Sequence, residues 1–453
     1  MSNEQWSGNE LLEWLNGLEC MRLFESLYGS DAVERERQRY ASLVDGMSPQ
    51  AGFPAVAGNL RVFSAPGRTE LGGNHTDHNR GRVLAASIQM DAVAVVSPRN
   101  DRRVFFRSTG FPDVNVNLDD GEGRPDLLPK QGETGTTEAL IRGIAAEFSK
   151  RGTIGGFSAN ASSTVLQGSG LSSSAALEVL VAKIFDSLYQ GGKSSALELA
   201  RISQKAENDF FGKPCGLMDQ AASACGGTAF IDFADPDSVL LKKIHFDPLA
   251  FGYALCVVNT RGSHANLTPD YAAIPKEMGD VARFFGKKFL RELELSRVLA
   301  AAPEIRKSAG DRALLRAIHF FNEDRRAAEM SALLGRAWEP MPQFLNYVNE
   351  SGDSSWELLQ NIYSPDDPRG QGLSLALAVS REFFRARGMK AACRVHGGGF
   401  AGTIQAYVPV DAVEDYKAQM EALFGAGALS QLRIRQVGAI ELTMEEGTGN
   451  SVN

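Results

Sequence analysis

Two stretches of this chain combine residue types that can do chemistry. In "GRTELGGNHTDHNRG", residues 67–81, His75, Asp77 and His78 fall within four positions between glycines. Imidazoles and a carboxylate so spaced suit a metal ion, a solvated turn or a pocket for a polar ligand. No second cluster of His, Cys or acids at ligand spacing accompanies them, which weighs against the metal. In "QGSGLSSSAA", residues 167–176, Gly168 and Gly170 let the backbone aim amide N–H groups at one point, and a following helix adds its positive end. Ser172, Ser173 and Ser174 bring hydroxyls to the same place, which suits a nucleoside triphosphate and its magnesium. A glycine turn whose serines merely cap the helix uses the same residues. The stretch is neither a Walker loop, since no Gly-Lys-Ser/Thr follows, nor the dinucleotide Gly-x-Gly-x-x-Gly pattern. Acids come from "ENDFFGKPCGLMDQ": a helical Glu207 could hold Mg²⁺ and Asp219 on a turn could face a substrate hydroxyl, although each alone reads as an ordinary surface charge.

The elements that must position these residues are legible in outline. "RVFSAPGR" reads as a strand running into a tight turn, and "RVLAASIQMDAVAVVSPRND" as an apolar, β-rich stretch ended by a turn. "RVFFRS" and "VNVNL" suit further strands, so the early core is a mixed or antiparallel sheet. "TTEALIRGIAAEFSKRG" predicts a helix, "GFSANASSTVLQGSGLSSSAALEVLVAKIFDSLY" a strand, a Gly-Ser turn and a strong helix, and "SALELARISQKAENDFFG" another helix. A strand "FGYALCVVNT" opens a section rich in helical patterns, and "AACRVHGGGFAGTIQAYVP" reads strand, Gly/Phe turn, strand. Residues 9–28 place Leu11, Leu12, Leu15, Leu18, Met21, Leu23 and Phe24 at helical intervals and "ERERQRYASLVDGM" continues in helical style, which predicts helices packed outside the core.

At 453 residues and 48.9 kDa the chain exceeds one ordinary core, which predicts two or three domains. Hydrophobic residues at 43% and charged residues at 23% exclude disorder. A net charge of −8 without a basic block excludes nucleic acid as the main partner. The first residues lack a signal-peptide pattern and no stretch reaches membrane-spanning length, so a cytoplasmic protein with no membrane partner is expected. Five scattered cysteines signal neither a disulfide framework nor a thiolate zinc site.

Three segments in order resemble the signatures of the galactokinase family: "SAPGRTELGGNHTDHNRGRVL" its sugar-binding signature, "QGSGLSSSAALE" its ATP loop and "HGGGFAGT" its third motif. "KPCGLMDQ" and "SHANLTPDY" also match family segments, and the likeness runs from about residue 55 onward. On that resemblance the chain is identified as a member of the superfamily of galactokinases, mevalonate kinases and homoserine kinases. The resemblance implies an α+β fold of two domains, an N-terminal mixed sheet with a left-handed crossover against the usual handedness and a ferredoxin-like C-terminal domain, with the site between them. It divides the chain at 1–55 (a helical extension without assigned function), 56–245 (sugar and ATP binding) and 246–453 (carrying the third glycine motif). It implies ATP-dependent phosphorylation of a hexose at C1, galactose first, with Mg²⁺, small-molecule sugar and ATP as partners, and a monomer.

By the same resemblance Asp219 is the catalytic aspartate, and Arg68 is the arginine that keeps it ionised. Ser174 and Glu207 hold the metal, while Gly168, Ser169, Gly170, Leu171, Ser172 and Ser173, with Ser174, Gly398 and Gly399, bind the nucleotide. Asn74, His75, Asp77, Gly216 and Tyr271 take the sugar. The chain departs from the family's signature at Glu70, Gly72, Asn74 and His78, where Asn, Ile, Glu and Tyr are usual. Asn74 is expected at the C6 end of the sugar; without the carboxylate it no longer repels an anion, which admits galacturonate as a rival substrate. A sugar-sensing regulator on the same scaffold is the other alternative, and the intact "GLSSSAA" weighs against it. Thr137 and Leu140 stand where the family tends to place an aromatic pair near adenine.

Overall fold

The computed structural model describes residues 6–54, 58–166, 168–262, 267–336 and 339–442. Gln167 of the glycine loop and residues 263–266 of "SHANLTPDY" lie outside the described residues. The first sheet is built on two long strands, β1 (Arg61–Gly72) and β2 (Arg82–Pro98), paired antiparallel. Register shifts between Pro66 and Arg68 and between Glu70 and Gly72 break the ladder, and such bulges re-aim side chains where strands approach functional sites. The sheet continues through β3 (Arg103–Ser108), β4 (Val114–Asn117), β5 (Phe157–Ser163), β6 (Thr228–Asp232) and β7 (Leu240–Ile244). It is mixed: β3 runs parallel to β5 and the other pairs are antiparallel.

The second sheet holds β8 (Tyr253–Asn259), β9 (Ala392–His396), β10 (Thr403–Pro409) and β11 (Leu429–Leu432) in the order β11-β8-β10-β9, all antiparallel. Numbered within that sheet the order is 4-1-3-2, that of a ferredoxin-like split βαβ arrangement. The last described strand, β12 (Ile440–Leu442), returns to pair with β1 of the first sheet.

Alternate residues of a strand face opposite sides of a sheet. Phe63, Ala94 and Val96 face a core shared with helices α4 (Thr137–Ser149), α5 (Ser173–Tyr189), α6 (Ala196–Ala206) and α7 (Met218–Cys225). Val62, Val93 and Val95 face the other way, onto α1 (Gly8–Leu15), α2 (Leu18–Tyr28) and α3 (Val33–Asp45). The helical pattern over residues 9–28 forms two helices, because Asn16 ends the first and Gly17, in an extended conformation, starts the second. The N-terminal helices cover one face of the central sheet with Leu11, Trp14, Phe24, Tyr40 and Leu43. All five cysteines are free thiols, and among the described residues no helix is long and apolar enough to cross a membrane.

Candidate functional site

Three loops converge between the sheets. The first follows β1 and holds His75 and Asp77; the second joins β5 to α5 and holds Gly168, Ser169, Gly170 and Leu171; the third joins β9 to β10 and holds Gly398 and Gly399. Glycines make the convergence possible. A Cβ on Gly170 would stand 3.1 Å from His396 Nδ1 and 3.3 Å from the Cα of Gly397, so the second and third loops meet backbone to backbone. Arg68 N donates to Leu171 O at 3.0 Å, and its Nη1 donates to Gly170 O, which pins the second loop to β1.

Arg68 is buried, and its Nε and Nη2 both lie 2.7 Å from Oδ1 of Asp219, at the first turn of α7. Oδ2 of Asp219 accepts from Ser172 Oγ, and a third of the carboxylate side chain stays open to the cleft. Burial works to raise this carboxyl; the charge of Arg68, with hydrogen bonds from Ser172 and Arg68, overrides it and holds Asp219 below the ordinary carboxylate range. Ser172 occupies the N-cap position of α5 with φ 58° and ψ 60°, and its side chain makes no capping bond. The reading of these serines as caps therefore fails for Ser172: its hydroxyl is spent on Asp219, and a non-glycine residue is held left-handed to put it there.

Behind this pair, the start of α5 opens onto a cavity of about 1110 Å³ lined by Ser173, Ser174, Glu178, Glu207, Lys213 and Thr164 among others. Thr137 and Leu140 line it as well, and aromatic surface comes instead from Phe106 on β3, Phe111 in the following turn and Phe211 after α6. At one end Gln220 Nε2 donates to Glu178 Oε2 at 3.0 Å and to Glu207 Oε2 at 2.9 Å, tying two buried carboxylates together. Lys213 Nζ sits 3.0 Å from Glu207 Oε1, while Glu178 Oε1 is buried without a hydrogen-bond partner. Burial, then the nearby Glu207 charge, pushes the Glu178 carboxyl upward. An orphaned carboxylate oxygen beside a second carboxylate and the Ser174 hydroxyl fits a hard cation. Among the described residues no group of three or more His, Cys, Asp or Glu can hold a metal unaided, so such a cation would take further oxygens from its ligand. Glu178, four residues after Ser174 on one helix, was findable by spacing, since i and i+4 share a face; Gln220 and Lys213 carried no such signal.

On the other side of Asp219 lies the histidine loop. His75 has φ 58°, its Nε2 stands 3.0 Å from Gly398 O, and its ring stacks on His78 at 5.9 Å. Burial, with His78 beside it, pushes His75 down to about 3, so it is neutral at pH 7. A Cβ on Gly216 would overlap Oδ2 of Asp77, so the segment before α7 touches the histidine loop only because residue 216 is glycine. Tyr271, on α8 (Thr268–Phe284), donates to Gly399 O at 3.1 Å. Gly398 and Gly399 thus turn their carbonyls to His75 and Tyr271, and Gly397 is the residue packed on the glycine loop.

Asn74 is buried and fully engaged. Its Nδ2 donates to Glu70 Oε1 at 3.1 Å and to Gly397 O at 2.9 Å, and its Oδ1 accepts from Asn361 at 3.3 Å. Glu70 in turn pairs with buried Arg394 at 2.7 Å. Of the arginines near this loop, Arg80 lies 4.2 Å over Phe289, Arg82 pairs with Asp232 and Asp324, and Arg316 pairs with Glu277.

Residues 53–98 match the galactokinase galactose-binding signature, and residues 139–227 match the GHMP kinases N-terminal domain. The chain is 33% identical to a galactokinase of Streptomyces coelicolor over 82% of its length and 91% of that protein's. A galactokinase of Clostridium tetani is 30% identical over 80% and 88% of the two chains. The chain belongs to the galactokinase family. Membership makes it an enzyme, a sugar kinase, and ATP is the co-substrate of its kinase class. Its fold is shared with Lactococcus lactis galactokinase, solved with galactose, at a TM-score of 0.73 and 23% identity, covering 89% of this chain and all of that one. The resemblance read from the three motifs and the two-domain kinase fold it implied are both borne out.

Proposed function

We propose that this galactokinase-family enzyme transfers the γ-phosphoryl group of ATP to the C1 hydroxyl of galactose. The observation that carries the reading is Asp219, a third open to the cleft and kept ionised by Arg68 and Ser172 between the glycine loop and the histidine loop. Asp219 accepts the C1 hydroxyl proton as that oxygen forms a bond to the γ-phosphorus and the bond to ADP breaks. Arg68 keeps the base ionised and offsets charge on the transferred group. The backbone of residues 168–171 with Ser172 and Ser173 cradles the phosphates beside the cavity, whose lining includes Leu166 before this loop and Ser173 after it. Ser174 and Glu207, backed by Glu178, would hold Mg²⁺, which neutralises phosphate charge when bound.

On the sugar side the reading assigns His75, Asp77, Asn74, Gly216 and Tyr271, because Gly216, three residues before Asp219, packs on Asp77, and His75 and Tyr271 both meet the third glycine loop. A neutral C6 hydroxyl is favoured over a C6 carboxylate: Arg80, Arg82 and Arg316 are committed elsewhere and His75 is uncharged. Removing a repulsive glutamate does not by itself recognise an anion. The test is turnover of galactose, galacturonate, glucuronate and N-acetylgalactosamine with Mg-ATP, read as sugar 1-phosphate by ³¹P NMR. Galactose is expected to lead; preference for galacturonate would overturn the neutral pocket, and no product from any sugar would sink the reading.

A Gly216→Ala variant probes Asp77. The new methyl overlaps Oδ2 of Asp77 and must displace it. Because a misplacement of about 1 Å can cost on the order of 10²-fold, sugar KM should rise steeply with ATP KM unchanged. A normal sugar KM would show that Asp77 does not touch the sugar.

A further inference from the structure

The sequence left the N-terminal helices without a role, and their packing against the sheet ends in a polar hub. Asp91 on β2 is fully buried, beneath α2 and α3. Its Oδ2 accepts from Tyr28 of α2 at 2.6 Å, from Ser64 of β1 at 2.5 Å and from Arg435 at 2.9 Å. Among the described residues Oδ1 accepts from Arg39 of α3 alone, at 2.5 Å. Burial would raise this carboxyl, and Arg39 and then Arg435 hold it below its usual range. An isolated ion pair in an apolar core contributes little net stability, but a fully partnered one dictates geometry.

That geometry reaches the nucleotide cavity through Thr164. Arg39 Nη1 donates to Thr164 Oγ1 at 3.3 Å, Asp91 N donates to the same oxygen at 3.0 Å, and Thr164 N donates to Asp91 O at 2.9 Å. Thr164, Val165 and Leu166 line the cavity, and the glycine loop leaves from them. At its far end the loop is fixed by Arg68 on Gly170 and Leu171. Between these ends Thr403 Oγ1 donates to Ser169 O at 2.7 Å, and at the near end, among the described residues, the side-chain tie from outside the sheet comes from Arg39.

We infer that the N-terminal helices belong to the nucleotide site: Arg39 of α3 is a positioning residue that, through Asp91 and Thr164, sets where the glycine loop begins and hence how tightly ATP is held. The inference rests on reading the cavity as the nucleotide site. Arg39 touches no substrate, and it lies on the opposite face of the sheet from the helices that carry the loop.

The test compares full-length Arg39→Met, Arg39→Lys and Thr164→Val with wild type in ATP KM, sugar KM, kcat and melting temperature, after calorimetry of ATP on the wild type. Arg39→Met and Thr164→Val should each raise ATP KM about tenfold, the lower range for losing a supporting partner at a ligand site, with sugar KM within about twofold. Arg39→Lys keeps a charge on Asp91 and should recover part of the loss. Tyr28→Phe removes a donor from Oδ2 without touching Thr164, so it should lower the melting temperature and leave ATP KM alone. An ATP KM unchanged in Arg39→Met and Thr164→Val, or a rise matched by sugar KM, overturns the inference and leaves the helices a cover for the sheet. Should Arg39→Met not fold, Thr164→Val and Arg39→Lys decide by the same criteria. A wild type that binds no ATP overturns the reading of the cavity instead.

Discussion

Asp219→Asn should lower kcat by about 10² to 10⁴, the range that general-base assistance supplies, while ATP binding by calorimetry survives. The change is nearly isosteric, so Arg68 keeps an oxygen to donate to, and Ser172, a hydroxyl that both donates and accepts, can turn toward the new amide. What disappears is the group that takes the C1 proton. The remaining rate would come from alignment of sugar and ATP. In the wild type the base acts when ionised, and its carboxyl is held below the ordinary range. As pH falls, activity is therefore lost only once that lowered value is crossed, and the acid limb of kcat/KM belonging to Asp219 should lie below that of a free aspartate. The variant should lack this limb. An Asp219→Asn enzyme of near-normal kcat would mean that another group is the base.

Asn74→Glu should cost roughly 4 kcal/mol, the repulsion of two like charges about 4 Å apart at an effective dielectric near 20. Asn74 donates to both carboxylate oxygens of Glu70, at 3.1 and 3.3 Å, and to Gly397 O at 2.9 Å, all in buried surroundings. A glutamate there has no proton to give and faces a carboxylate that burial already pushes upward, against the charges of Arg394 and then Arg68. Glu323, whose Oε1 accepts from Gly73 N at 3.1 Å, adds a third negative charge nearby. The single variant should lose stability in urea melts and sugar affinity together. Glu70→Asn/Asn74→Glu restores one donor opposite one acceptor and should recover most of the stability. A stable Asn74→Glu single variant, or a double variant no better than the single, would show that the two side chains do not act as a pair. Only in the double variant does a changed sugar preference report on C6, because there the repulsion is removed.

The exchanged pair shows where reading the chain reaches its end. That Asn74 stands in place of a carboxylate, and Glu70 in place of an amide, is plain from the motif. That the two compensate one another is not, because the residue that makes a buried Glu70 tolerable is Arg394, 324 positions away. The N-terminal helices are similar. Their apolar spacing announced helices, but their target is a row of valines on β1 and β2, and the Arg39–Asp91–Thr164 chain joins three elements by side-chain bonds that leave no trace in local spacing. Thr137 and Leu140 were legible as departures from an aromatic pair; the replacement surface, Phe106, Phe111 and Phe211, arrives from another strand, its turn and the segment after α6.

The three glycine-bearing motifs, their order and the acids between them were enough to name the family and its two-domain fold, because those features are backbone requirements. A turn that must present amides or let two loops touch admits few residue types, and the constraint is written locally. The partners of each polar side chain were decided elsewhere. Ser172 serves Asp219 rather than its own helix, Glu178 joins Glu207 through Gln220, and Asn74 leans on Glu70 and Arg394. Each of these is a choice among donors and acceptors that come within reach only after the sheets have packed, and burial then makes it costly to leave any of them unpaired.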